Sequence, residues 1–278
     1  MKKIIVPTDF SECSEYALRA AADIAREKGA GIVLFHMVGV SAAVLAKDES
    51  QEYAEAMYYM KLARKKFDGL LSEDYLKGIS TEEVVQNYKD FSEINQVAKE
   101  KGADLIVMGS HGTGAISGLF VGSNTEKVVR NSDTPVLVLK KPVKKFKMEK
   151  VVFACDFELE SIHVYRKAMR FFDTFQSEVS LVYVNLPGEG FRDSVEFDEK
   201  VEDFLYHAEG SLKHREKVHF RNAYAKEEGI YAFAEKIGAD LIAIPTHGRK
   251  GLSHFFRGSL AEDMANRARF PVMTFKIY

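Results

Sequence analysis

The chain has 278 residues, of which 46% are hydrophobic and 29% are charged, and its formal net charge is -2. This balance is typical of a folded globular protein of about two domains, and it excludes the chain-wide basic field that draws in nucleic acid. Two cysteines are too few for a disulfide scaffold, and no apolar run approaches the roughly 18 residues of a membrane span. We expect a cytoplasmic protein without a secretory signal, a membrane partner or a nucleic-acid partner.

Strands alternate with helices along the first half of the chain. The predicted elements are strand 4–8, helix 13–28, strand 32–38, helix 48–71, strand 76–80, helix 91–101, strand 104–108, helix 123–131 and strand 135–140. The runs at 32–35 and 105–108 are continuously apolar, which is typical of parallel strands buried on both faces. The alternation predicts right-handed crossovers and an α/β fold with a doubly wound parallel sheet.

The second half of the chain repeats the first. KKIIVPTDF at 2–10 matches EKVVFACDF at 149–157, and GADLIVMGSHG at 102–112 matches GADLIAIPTHG at 238–248. The first match has an offset of 147 residues and the second an offset of 136, so the second copy is 11 residues shorter in its middle. We therefore predict two tandem domains, 1–141 and 149–278, joined by a solvated linker at 142–148.

The second domain follows the same plan as the first. Its predicted strands are 151–155, 179–184, 217–221, 240–244 and 272–276, and its predicted helices are 160–175, 194–210, 228–237 and 259–268. Such pseudo-symmetry predicts that the two repeats pack as an internal pseudo-dimer. Whether two chains pair again as a homodimer stays open.

Three segments of the first domain should meet beyond the carboxyl ends of its strands, where open parallel sheets bind ligands. They are the strand ends at 8–9, 36–38 and 108–109. Gly-Ser-His-Gly follows at 109–112, and its glycines let backbone amides approach an oxygen-rich ligand. Gly-Ser-Asn at 122–124 then opens a helix whose N-terminus favours negative charge. These parts predict a polyphosphate cradle without a GxxxxGK[ST] or GxGxxG loop.

The spacing Gly-x2-Gly-x9-Gly-Ser at 109–123 resembles the ATP-binding signature of the universal stress protein family. The resemblance extends to Pro7-Thr8-Asp9, to His36 and to Thr134-Pro135-Val136, and it covers essentially the whole chain, once per repeat. It implies two five-stranded parallel sheets of order 3-2-1-4-5 with helices on both faces, and ATP as the ligand of the first repeat. The residues implied to bind ATP are Pro7, Thr8, Asp9, Met37, Val38, Met108, Gly109, His111, Gly112, Gly122, Ser123 and Asn124.

The resemblance also implies roles for these residues. Asp9 would accept from the ribose or the adenine edge, residues 37–38 would border adenine, 109–112 would line ribose and phosphates, and 122–124 would hold the phosphate tail. Simpler interpretations stay open: Asp9 caps the following helix, the glycines serve tight turns only, and His111 makes a structural bond in its loop. No carboxylate cluster predicts a metal cage, so Mg²⁺ would be held mainly by the phosphates and by water.

The second repeat departs from the signature. Pro245 stands at the first glycine position, and proline has no N–H to offer a phosphate. We expect this repeat to be impaired for ATP, keeping either an anion site or a purely structural role. The candidate anion-site residues are Asp156, His247, Gly248, Arg257, Gly258 and Ser259.

Three functions remain open for the chain. The first, which we favour, is an ATP-binding regulatory protein of the stress response that acts on an unknown protein partner. The second is a slow ATPase or phosphotransferase, which is disfavoured because phosphoryl transfer needs a positioned base and cations that are not recognisable here. The third is an interaction module in which the nucleotide is only structural. No catalytic residue is assigned.

Overall fold

The structure is a computed structural model, and it describes residues 1–37, 49–86, 93–110, 123–188, 190–247 and 270–277. The chain divides into two compact units, Met1–Phe146 and Lys147–Tyr278. Within the described ranges, no helix is long and apolar enough to cross a membrane.

The first unit contains a five-stranded parallel sheet. Its elements are β1 (Lys3–Pro7), α1 (Glu12–Lys28), β2 (Gly31–Met37), α2 (Glu49–Leu71), β3 (Thr81–Gln86), α3 (Ile94–Lys101), β4 (Leu105–Gly109), α4 (Ser123–Asn131) and β5 (Val136–Leu139). The strands pair in the order β3-β2-β1-β4-β5, which confirms the predicted order. Successive residues of β4 and β5 are buried, so both faces of the sheet are covered.

The second unit repeats this arrangement. Its elements are β6 (Lys150–Ala154), α5 (Ile162–Asp173), β7 (Glu178–Asn185), α6 (Ser194–Glu209), β8 (Val218–Asn222), α7 (Lys226–Ile237), β9 (Leu241–His247) and β10 (Val272–Ile277). Its strands are also parallel and pair in the order β8-β7-β6-β9-β10. The helix predicted at 259–268 lies outside the described residues.

Equivalent pairs of strands have the same register in the two sheets. Lys3 lies opposite Gly31 in the pairing of β1 with β2, and Lys150 lies opposite Glu178 in the pairing of β6 with β7. Both members of the pair are thus shifted by 147 residues. The pairing of β1 with β4 has the same register as the pairing of β6 with β9, because β6 is shifted from β1 by 147 residues and β9 from β4 by 136. Equivalent residues therefore occupy equivalent places at the carboxyl edges of the two sheets.

The third strand of the first unit was predicted wrongly. The prediction was 76–80, but β3 is Thr81–Gln86. Gly78 has a φ of +79°, a left-handed conformation that does not occur in a regular strand. The strand was missed because it lies at the edge of the sheet, where Val84 is its one buried residue. Its Glu82 instead forms ion pairs with lysines, so the sequence shows no apolar run there.

The junction between the repeats is less solvated than its lysines indicate. Within the predicted linker, Phe146 and Met148 are both buried. The Phe146 amide also donates a hydrogen bond to the Asp23 carboxylate at 2.8 Å. This contact attaches the end of the first unit to α1.

Candidate functional site

The end of β1 forms a tight turn at the carboxyl edge of the first sheet. The Thr8 amide donates to the Phe35 carbonyl at 2.8 Å, which extends the pairing with β2 by one residue. The buried Thr8 hydroxyl accepts from the Phe10 amide at 3.0 Å and lies 3.0 Å from the Ser14 hydroxyl. Phe10 has a φ of +63°, so the chain reverses directly after the strand. The turn leaves Asp9 at the sheet edge.

Asp9 holds the residue that caps α1. One of its carboxylate oxygens, Oδ1, accepts from the Ser11 amide at 3.0 Å and from the Ser11 hydroxyl. Ser11 is the N-cap, and its hydroxyl oxygen accepts from the Ser14 amide at 3.3 Å. Direct capping of the helix by Asp9 is therefore not what the structure has. The carboxylate is half-buried and oriented by these two bonds.

His36 supports this turn from β2. Its Nδ1 lies 2.7 Å from the Thr8 carbonyl oxygen, and because that oxygen can only accept, we assign the Nδ1 proton to His36. The imidazole packs against the Phe10 ring, with 4.6 Å between centroids. Burial lowers the pKa of His36, and nearby Lys66 lowers it further, although the Thr8 carbonyl and Asp9 oppose the shift. His36 is therefore a neutral hydrogen-bond donor that orients the Thr8–Asp9 segment.

Packing within the protein explains why residue 109 is a glycine. A Cβ at this position would lie 2.6 Å from the Cys13 carbonyl oxygen and 2.7 Å from its carbonyl carbon. Sequence reasoning attributed this glycine to the approach of a ligand, but the backbone of α1 already requires it. Gly109 allows β4 to end directly beside the first turn of α1.

Thr125, which sequence reasoning missed, joins α4 to the end of β4. Its hydroxyl donates to the Gly109 carbonyl at 3.0 Å, and the residue is buried. The first amides of a helix have no partners within the helix. The Thr125 bond therefore holds free amide donors of α4 at the carboxyl edge of the sheet. A hydroxyl two residues after Gly-Ser is the signal that could have found it.

We expect Thr125→Val to weaken ligand binding at this edge by about fivefold, corresponding to the roughly 1 kcal/mol of a typical hydrogen bond. Valine preserves the shape of the side chain but does not donate to Gly109, so α4 would be held less closely. Calorimetric titration with ATP measures the effect. Thr81→Val, the same chemical change on edge strand β3, is the matched control. Equal affinities for the two variants would contradict the anchoring role.

The second unit has a cavity of about 570 Å³ beyond the carboxyl ends of β6, β7 and β9. Six of the residues that line it are Ala154, Cys155, Asp156, Val184, Ile244 and Pro245. Under the offsets of 147 and 136, their counterparts are Pro7, Thr8, Asp9, Met37, Met108 and Gly109. The second repeat thus has a cavity where the sequence predicts the ligand of the first.

The turn after β6 reproduces the turn after β1 with different atoms. Phe157 has a φ of +55°, close to the +63° of Phe10, and Cys155 occupies the position of Thr8. Asp156 Oδ1 accepts from the Glu158 amide at 3.0 Å, as Asp9 does from Ser11. Burial raises the pKa of the Cys155 thiol far above its ordinary value, so the thiol stays protonated. The buried Ser161 hydroxyl, the counterpart of Ser14, has no hydrogen-bond partner in the described part of the chain.

The sequence profile of the Universal stress protein family matches residues 1–140 and again residues 147–276. The chain belongs to the universal stress protein family. Two matches in tandem make it a two-repeat member, as the internal duplication predicted.

Curated members of the family correspond to about half of this chain. Universal stress protein MJ0531 of Methanocaldococcus jannaschii is 33% identical over 156 residues, which are 51% of this chain and 84% of that protein. Universal stress protein MJ0577 of the same organism is 30% identical over 154 residues, which are 50% of this chain and 95% of that protein.

A two-repeat fold of similar length has been solved. The crystal structure of a universal stress protein from Archaeoglobus fulgidus DSM 4304 has a TM-score of 0.62 and 21% identity to this chain. The match covers 99% of this chain and 96% of that one. At this identity, the likeness establishes the fold.

The topology brings together the predicted site residues that the structure describes. In this universal stress protein, adjacent strands β1 and β4 end at Pro7 and Gly109, and Met37 ends β2. Ser123 and Asn124 open α4. The predicted residues Val38, His111, Gly112, Gly122, Gly248, Arg257, Gly258 and Ser259 lie outside the described residues.

The candidate anion site of the second repeat is described only in part. Asp156 lines the cavity, and His247 is the last residue of β9. Among the residues described, no group of three or more His, Cys, Asp or Glu side chains could hold a metal ion.

Proposed function

We propose that the first repeat of this universal stress protein binds ATP, and that the chain is a nucleotide-binding regulatory protein of the stress response. The observation that carries the proposal is the shared register of the two sheets. It makes six of the eight described site positions of the first repeat the counterparts of six residues that line the second-repeat cavity. A ligand-sized cavity at the carboxyl edge is where open α/β sheets bind nucleotides.

The described residues fit a nucleotide in two ways. The Thr125 bond keeps α4 beside β4, so the free amides of its first turn suit a phosphate group. Asp9 is half-buried and oriented by Ser11, which suits a carboxylate that accepts from a ribose hydroxyl or an adenine amine. Mg²⁺ would neutralise the phosphates and take its remaining ligands from water.

The second repeat lacks two of these features. Pro245 has no N–H where the first repeat has Gly109, and Ala261 has no hydroxyl where the first repeat has Thr125. An alanine at this position cannot donate the hydrogen bond by which Thr125 anchors α4 to β4. We therefore propose that ATP binds to the first repeat and not to the second.

Isothermal titration of the purified chain with MgATP is expected to give one site per chain. The physical reason is that only the first repeat combines the glycine, the anchoring threonine and the Gly-Ser helix start. Prior removal of endogenous nucleotide, checked by mass spectrometry of the released small molecules, makes the stoichiometry reliable. Two equivalent sites would contradict the assignment to one repeat, and no binding at millimolar MgATP would contradict the proposed function.

Turnover separates the regulator from the alternative of a slow ATPase. With one ATP bound per chain, we expect ADP release no faster than the uncatalysed rate, because no base or arginine is placed for phosphoryl transfer among the described residues of the first repeat. Sustained ADP release that is lost together with ATP binding would instead identify an ATPase.

A further inference from the structure

The cavity of the second repeat has an apolar interior of the size that small organic ligands use. Its volume of about 570 Å³ lies within the range of roughly 300–1,000 Å³ that is common for ligand pockets. Apolar side chains from β7, β9, β10, α7 and the segment after β7 line it: Val182, Val184, Leu186, Ile230, Ile244 and Ile277. An aliphatic or aromatic body is the natural occupant of such a surface.

Two cations, Arg192 and Lys226, also line the cavity. Arg192 follows β7 and Lys226 begins α7, and neither side chain has an ion pair or hydrogen bond with any described residue. The carboxylates that line the same cavity are compensated. Glu158 pairs with Lys200, Asp156 accepts from a backbone amide, and Glu227 lies in the first turn of α7, where the helix dipole favours negative charge.

Arg192 is held in place through its backbone. Asn185, at the end of β7, is 1% exposed, and its Oδ1 accepts from the Arg192 amide at 3.0 Å. Its Nδ2 donates to the Arg192 carbonyl at 3.1 Å and to Asn222 at 3.1 Å. Asp193, the next residue, is fixed as the N-cap of α6. Val38 is the counterpart of Asn185 in the first repeat, and its side chain has no donor or acceptor with which to form this anchor.

Large apolar side chains stand exposed next to these lining residues in the sequence. Phe191, which precedes Arg192, is 57% exposed, and Tyr224, two residues before Lys226, is 91% exposed. Leu159, which follows Glu158, is 50% exposed. Exposed apolar side chains are often found on surfaces that receive an apolar ligand.

We infer that the second repeat binds a monoanionic amphiphile, with its apolar body in the cavity and its single carboxylate, sulfonate or phosphate group between Arg192 and Lys226. A triphosphate is a poor fit, because Asp156 and Glu227 line the same cavity and would repel its additional charges. Pro245 also removes a backbone donor. This inference is independent of ATP binding by the first repeat.

The fluorescent probe 1-anilinonaphthalene-8-sulfonate tests the inference, with N-phenyl-1-naphthylamine as its uncharged counterpart. In saturating MgATP, the sulfonate probe should saturate one site per chain on the full-length protein. The variant Arg192→Gln with Lys226→Gln should weaken it at least roughly tenfold, because two charge-assisted contacts are lost. The uncharged probe should change less than about threefold, since its apolar contacts remain.

Two further variants complete the design. Leu186→Ser, in the half-exposed segment after β7, should weaken both probes, and the exposed control Lys213→Gln should weaken neither. Circular dichroism checks that each variant is folded. If the double variant fails to fold, Lys226→Gln alone, at an exposed side chain, tests the effect of charge on the sulfonate probe. The inference is overturned if the sulfonate probe does not saturate, if it ignores the charge variants, or if MgATP displaces it competitively from the cavity.

Discussion

Replacing Gly122 by aspartate is expected to weaken ATP binding at least roughly a hundredfold and to leave the chain folded. Gly122 directly precedes Ser123, the first residue of α4, in the sequence. Aspartate is a favourable N-cap, which preserves the helix. Its carboxylate would lie near the proposed phosphate, and two like charges 4 Å apart repel by about 4 kcal/mol at an effective dielectric constant of 20. Calorimetric titration with MgATP measures the loss.

Gly122→Asn is the matched control for this prediction. Asparagine has nearly the size of aspartate and is an equally good N-cap, but it carries no charge. It should retain much more affinity than aspartate, and the difference isolates the electrostatic repulsion. Equal losses for both variants would mean that bulk, not charge, is excluded there, and the proposed phosphate position would be wrong.

Gly109→Ala is expected to destabilise the folded chain by about 3 kcal/mol, the upper end of the usual cost of overpacking. The added Cβ would lie 2.6 Å from the Cys13 carbonyl oxygen. The two nearest atoms both belong to the Cys13 backbone, in the first turn of α1, so no flexible side chain can move aside. A lower urea midpoint, followed by circular dichroism, measures the change.

Gly69→Ala is the same chemical change, but we expect it not to lower the stability of the folded chain. Gly69 lies within α2, and nothing stands within 4 Å of the Cβ that alanine would add. Alanine has the higher helix propensity, so this variant should be unchanged or more stable by up to about 1 kcal/mol. If Gly109→Ala were as stable as Gly69→Ala, the close approach of α1 to β4 would be disproved.

Together these variants separate two reasons for glycine in one sequence signature. At Gly109 the structure supplies a packing reason, whereas at Gly122 the proposed reason is a charged ligand. Gly109→Ala should therefore lower the stability of the folded chain. Any change in its ATP affinity should be a consequence of that lost stability. Gly122→Asp should change affinity while the urea midpoint stays near that of the wild type.

The elements that the sequence predicted best are those with strong local patterns. The continuous apolar runs of β2 and β4 identified buried parallel strands, which the structure contains. The third strand was misplaced because an edge strand buries little, and so β3 lacks an apolar run. Local pattern is informative only where burial is nearly complete.

The sequence by itself determined that the chain is duplicated and that each half is a doubly wound sheet. These follow from repetition, from hydrophobic periodicity and from the right-handed crossover, all of which can be read along the chain. Only the tertiary structure decided why Gly109 has no side chain, what anchors α4, and that the second repeat keeps a cavity with Arg192 held at its edge. Each of these depends on distances between atoms of separate elements, which no pattern of residue types specifies.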